Sequence, residues 1–147
     1  MRKLWLAPLL LSALAFAGCG GGEKDEEESG IVSAAVKAVC DGSAMSETAK
    51  LPATFPQIES DEMVYVKQSS AGPTNIVEGY FNGDVEEAHD EWKKELENNG
   101  FDVTFDEVEE HDSEVAWEGE GRTGIVAIRD DCGDSDKMYV KITNRPE

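Results

Sequence analysis

The sequence predicts an α+β fold: an antiparallel sheet of about five to six strands with one long helix packed on one face, plus a short N-terminal helix. Two observations carry this. One strongly amphipathic helix signal lies in the middle of the chain, just after Asn82-Gly83. On both sides of it, short segments alternate apolar and polar residues, the period-two mark of half-buried strands. Strands that flank a helix, rather than alternate with helices, favour an antiparallel layer over a parallel one.

Taken in order, Ile31 to Cys40 carries apolar residues at 32, 35, 36 and 39, which is helical spacing, with Ser29 as a cap. Asp41 to Asp61 reads as a loop. Pro52 and Pro56 favour an extended path there, and Phe55 between them is a hydrophobic peg. Met63 to Lys67 is a short strand, Ser69 to Pro73 is turn material, and Asn75 to Phe81 resumes the strand pattern, so the three make a hairpin.

The helix follows. Asp84 with Glu87 three places on forms a capping-box pattern, and Val85, Ala88, Trp92 and Leu96 fall on one stripe. On the wet side, Lys93 pairs with Glu97 and Asp90 with Lys94 at i,i+4 spacing. Asn99-Gly100 ends the helix with residues that tolerate a left-handed conformation. Phe101, Val103 and Phe105 then alternate with acids along one strand. Glu109 to Asp112 is a turn, and Val115 and Trp117 alternate on the next strand. Gly119 to Gly124 turns again, Ile125 to Ile128 is a more central strand, and Asp130 to Asp136 is a polar loop. Met138, Val140 and Ile142 alternate on the last strand.

The N-terminus predicts an address. Arg2 and Lys3 precede an apolar run from Leu4 to Phe16, and Ala17-Gly18 precede Cys19, the pattern of a secretory signal. Phe16-Ala17-Gly18-Cys19 resembles a lipobox, which implies cleavage before Cys19 and its lipidation. The competing reading is a transmembrane helix. Leu4 to Gly18 is 15 residues. At helical rise that covers roughly 22 Å, against about 30 Å of hydrocarbon, and Pro8 interrupts it. The expected organisation is therefore a lipoprotein signal over 1–18, a flexible acidic tether over 19–30, and one domain over 31–147. The tether follows from Gly20 to Gly22 and the self-repelling Glu23 to Glu28.

Removing residues 1–18 leaves 11 basic against 32 acidic residues, a formal charge of −21. Such an excess argues against nucleic acid as a partner, since phosphates need Lys and Arg to displace counterions. It also argues against lying flat on anionic headgroups. Solubility explains the charge without function, and affinity for cations or a basic partner is the functional alternative. With Cys19 lipidated, Cys40 and Cys132 remain in an oxidising compartment and are expected to form a disulfide.

From Leu51 onward, a series of marks runs Leu51-Pro52, Phe55-Pro56, Gly79-Tyr80, Leu96, Gly100-Phe101, Glu110-His111-Asp112, Gly121, Gly124, Cys132 and Asn144-Arg145-Pro146. In this the chain is similar to small uncharacterised lipoproteins of actinobacteria and neighbouring groups. The resemblance implies an exported, anchored α+β domain and carries no activity with it.

Chemistry is sparse. His89, next to Asp90, reads as a surface helical residue, and His111 as a turn residue or a weak metal contact. Ser69-Ser70 has no evident base. Glu107, Glu109 and Glu110 offer carboxylates for acid/base work, but carboxylates abound in this chain. No nucleophile elbow, zinc-helix motif or phosphate loop appears. The run Asp130 to Asp136 supplies hard oxygens suited to calcium, without EF-hand spacing, and a solvated turn is the alternative. Trp92 and Trp117 are assigned to packing. The expectation is a non-catalytic lipoprotein with no cofactor, held at the membrane through Cys19 and facing outward. It would bind an envelope protein or small ligand. An acidic inhibitor or decoy of a cationic extracytoplasmic enzyme, or a weak calcium binder, are the alternatives.

Overall fold

Asp84 starts the central helix as its sequence predicts. Its carboxylate accepts from Glu87 N at 2.8 Å while Glu87 Oε2 accepts from Asp84 N at 3.3 Å, closing the capping box. The helix is α2 (Val85–Asn98). At its end, Phe101 N donates to Leu96 O and Gly100 takes φ 81°, a left-handed residue that glycine adopts without strain.

The computed structural model describes residues 34–44, 50–58, 60–134 and 136–147. Cys19, the signal over 1–18 and the tether over 19–30 lie outside the described residues. A first helix, α1, occupies residues 34–40. The strands are β1 (Met63–Ala71), β2 (Thr74–Asn82), β3 (Asp102–Val108), β4 (Asp112–Gly119), β5 (Arg122–Asp134) and β6 (Lys137–Pro146). They form one six-stranded sheet in the order β1-β2-β6-β5-β4-β3, with every neighbouring pair antiparallel. The class is α+β, and the sheet rather than the helices dominates it. The helix α2 lies in the crossover from β2 to the far edge strand β3, which passes β6, β5 and β4.

Register divides the sheet residues between two faces. Val103, Val115, Trp117, Val126, Ile128, Val140, Ile142 and Val77 share one face and one buried cluster with Val85, Ala88, Trp92 and Leu96 of α2. Each large apolar side chain so buried contributes about 1.5–3 kcal/mol. Leu51, Phe55 and Ile58 enter the same cluster, so the proline-flanked segment does supply its peg. Buried Asn144 fastens that segment: its Nδ2 donates to Thr54 O at 2.6 Å, and its Oδ1 accepts from Arg122 Nε. Trp117 fits because its cross-strand partner is Gly124; a Cβ there would come within 2.5 Å of the indole.

On the opposite face a smaller cluster joins Val36, Val39 and Cys40 of α1 to Val66 and Tyr139, with Val64, Tyr80 and Cys132 against it. The Cys40–Cys132 disulfide closes this cluster, with Cα atoms 5.5 Å apart across a separation of 92 residues. Lys137 Nζ donates to Cys40 O at 3.2 Å, a cation at the C-terminal end of α1, and sits 4.3 Å from the centre of the Tyr80 ring.

Four expectations are corrected. Strand β1 runs through Ser69 and Ser70 to Ala71, because Gly72 (φ 59°) and Pro73 make a two-residue turn. Strand β5 begins at Arg122, because Glu120 (φ 56°) and Gly121 (φ 71°) form the paired positive-φ turn that suits the strand twist. The polar loop at Asp130 is instead the end of β5, which reaches Asp134 through a register shift after Arg129. Finally, Phe105 does not share a face with Val103. A shift in β3 between them turns Phe105 to the side away from α2, where it is 49% exposed.

Replacing Cys40 and Cys132 together by Ser should lower unfolding stability by about 4 kcal/mol in the chain-entropy account of a loop this long. Urea titration of the oxidised full chain against the double variant measures it, and superimposable curves would contradict it.

Candidate functional site

His89 is the largest departure from the sequence reading. It is buried, 3% exposed, between the helix and the sheet. Its Nδ1 lies 2.6 Å from Ser113 Oγ on β4, and its Nε2 lies 3.6 Å from Asp106 Oδ2 on β3. Lys93, one helical turn on, does not reach Glu97 but crosses to the same Asp106 oxygen at 2.5 Å. The hydrogen bond from Lys93 holds the Asp106 carboxyl below the usual range and raises the Lys93 ammonium. A signal for this was present. His89 stands four residues after Val85 and three before Trp92, on the stripe that must be buried.

Serine, histidine and aspartate together suggest a nucleophilic triad, but the surroundings oppose one. Ser113 is 3% exposed. The small depression beside it is lined by Glu107, Glu109, Asp112 and Glu114. The Ser113 hydroxyl faces α2, whereas Glu107, Asp112 and Glu114 have the register of the opposite face, so a substrate in that depression does not meet it. The geometry suits a clasp that satisfies buried polar atoms while tying α2 to β3 and β4.

The other polar candidates disperse. His111 sits in the β3–β4 turn, 75% exposed, with Nδ1 3.6 Å from Asp130 and Nε2 4.0 Å from Glu110. With Glu109, Asp112, Arg129 and Asp131 it lines a shallow depression of about 600 Å³. Glu107 and Glu109 border one depression, Glu109 and Glu110 the other. Asp130 and Asp131 lie on β5. Among the described residues, no group of three or more His, Cys, Asp or Glu side chains is placed to hold a metal ion. Ser69 and Ser70 are exposed strand residues. Trp92 and Trp117 are both core residues, and Trp117 meets Phe101 edge-to-face at 5.2 Å.

A second polar cluster lies on the α1 face. Glu78 accepts from Tyr139 Oη at 2.8 Å and pairs with Lys67 at 2.9 Å. Burial works against the Glu78 charge, but hydrogen bonds from Lys67 and Tyr139 outweigh it and hold the carboxyl below its usual range. Burial, then the bond to Glu78, pushes the Tyr139 phenol up.

Between this cluster and β3 the same face lies open. Register aligns Phe105, Ala116, Ile125, Thr143 and Ile76 in a row across five strands. Phe105 and Ile125, with Ala116 between them, form its exposed end, at 49% and 42%. Sequence reading missed this patch because strict alternation placed Phe105 in the core. Side chains of this size and geometry can receive an apolar group from a partner.

His89→Ala should destabilise the fold by about 1–3 kcal/mol, through loss of packing and an orphaned Ser113 hydroxyl. Chemical denaturation measures it, and Ser113→Ala in the same background should cost less than in wild type. Because the Glu78 carboxyl is lowered in the folded state, its stabilisation is complete above the ordinary carboxylate range and lost as pH falls through the folded value. Glu78→Gln should thus be less stable at neutral pH and lose less on acidification. Melting temperatures of both forms from pH 7 down to pH 3 check the sign. Compared with known proteins, the chain matches no protein-family model, no curated protein and no solved structure.

Proposed function

We propose that this protein is a lipid-anchored extracytoplasmic binding module without catalytic activity. Residues 1–18 direct export, Cys19 carries the anchor, 19–30 set a distance from the bilayer, and the domain offers a surface to a protein or small ligand of the envelope. The observation that carries the binding role is the exposed Phe105–Ala116–Ile125 patch on a sheet face that α1 covers only at its other end. An apolar patch kept on a rigid sheet suits recognition, because little order is lost on binding. The disulfide supports an oxidising location. For the anchor, the support is the lipobox-like Phe16-Ala17-Gly18-Cys19 after a 15-residue apolar run too short to span a bilayer.

Full-length protein from a bacterial host should sediment with membranes and release into detergent. Its intact mass should correspond to a chain beginning at Cys19 with added acyl groups. Cys19→Ser should abolish the acyl mass and leave residues 1–18 uncleaved. A wild-type chain still beginning at Met1 with an unmodified thiol, or acyl groups retained by the variant, would refute the anchor.

A further inference from the structure

The charges around the open patch specify its partner. The row beside Phe105 and Ala116 on one side pairs Asp102 with Glu118, and the row on the other side pairs Glu107 with Glu114. Strand geometry sets such same-face rows about 7 Å apart. The β3–β4 end of the apolar row is thus flanked by carboxylates on both sides, while the same two rows end in Arg145 and Lys141 on β6. Each of these pairs sets two like charges directly opposite across adjacent strands, which destabilises a sheet by itself. None of the four carboxylates has an ion-pair partner among the described residues. The arrangement costs stability in the free protein, and a bound cation would relieve it. Moreover, β3 is the edge of the sheet, with its outer side unpaired and its residues exposed almost throughout.

We propose that β3 and the adjoining Phe105–Ala116–Ile125 patch bind an extended cationic polypeptide segment, added as a strand at the β3 edge. This deepens the binding-module reading and rests on it. Same-face positions of an added strand recur every second residue. The matching segment therefore carries Lys or Arg, an apolar residue, and Lys or Arg at alternate positions. The basic groups answer Asp102 and Glu118 at one end and Glu107 and Glu114 at the other, while the apolar residue covers Phe105. Nucleic acid and anionic lipid are repelled by the same carboxylates. A second copy is disfavoured too, since each chain carries a formal charge of −19 and would oppose these acids to its own.

The test uses the full-length chain and a short synthetic peptide with Lys, Leu and Lys at alternate positions separated by Thr. Backbone amide shifts report where it binds, which separates this site from attraction to the acidic run Glu23–Glu28. The expected result is saturable shifts over Asp102–Val108 and at Ala116 and Ile125, with affinity falling as salt rises. Phe105→Ser, and separately Glu107→Gln with Glu114→Gln, should each raise Kd by about tenfold, the equivalent of 1.4 kcal/mol. All three positions are exposed or on the open face, and unchanged spectra elsewhere verify folding. Shifts confined to the tether, or equal binding by a peptide with Glu for Lys, would overturn the proposal. If the peptide leaves β3 unmoved while Phe105→Ser abolishes co-purification of an envelope partner, the cationic chemistry falls and the binding module stands. If neither responds to Phe105→Ser, both fall.

Discussion

Burial of Trp92 and Trp117 in one cluster between helix and sheet is the constraint on which the rest of the structure depends. The helix stripe packs over β3, β4 and β5, which must therefore lie side by side beneath it. That requirement explains the crossover from β2 to the far edge, since only a connection passing over three strands leaves room for them to fill in later. It also explains Gly124, where any side chain would collide with the indole of Trp117. Trp117 Nε1 finds no hydrogen-bond partner among the described residues, so the packing is obtained at a polar cost.

Two other buried polar side chains, unlike Trp117 Nε1 and the Tyr65 hydroxyl, are held by partners. His89 is accommodated by Ser113 and Asp106, and Asn144 by Thr54 and Arg122. Both arrangements join segments far apart in sequence, and both act as directional restraints where apolar contacts alone would allow sliding. The disulfide performs the same task on the other face, where α1 has too small a cluster to hold itself in place.

The two faces differ in what remains uncovered. On one, α2 and the Leu51–Ile58 segment occupy the sheet. On the other, α1 protects the end near Tyr139, and the carboxylates of Asp102, Glu107, Glu114 and Glu118 lie in the rows beside exposed Phe105. Acidic residues on an edge strand also discourage edge-to-edge association. The proposed recognition places the same demand on β3 as resistance to self-association: charge around an apolar centre disfavours copies of the chain and would admit a segment of opposite sign.

Local rules made much of this chain legible. The Asp84 capping box, the Val85-to-Leu96 stripe and the Val115–Trp117 alternation depend on neighbours a few residues apart, and so does the peg at Phe55 with prolines on either side. Such short-range chemistry determined the α+β class, the helix and most strands. The disulfide followed from counting thiols once Cys19 was set aside. Strand order, the partners that His89 meets, the outward turn of Phe105 and the conversion of the Asp130 run into strand were decided only by tertiary structure. Each is a question of which distant backbone lies opposite. A one-residue register shift reverses the face of every side chain beyond it, and nothing in the local sequence of β3 announces that shift.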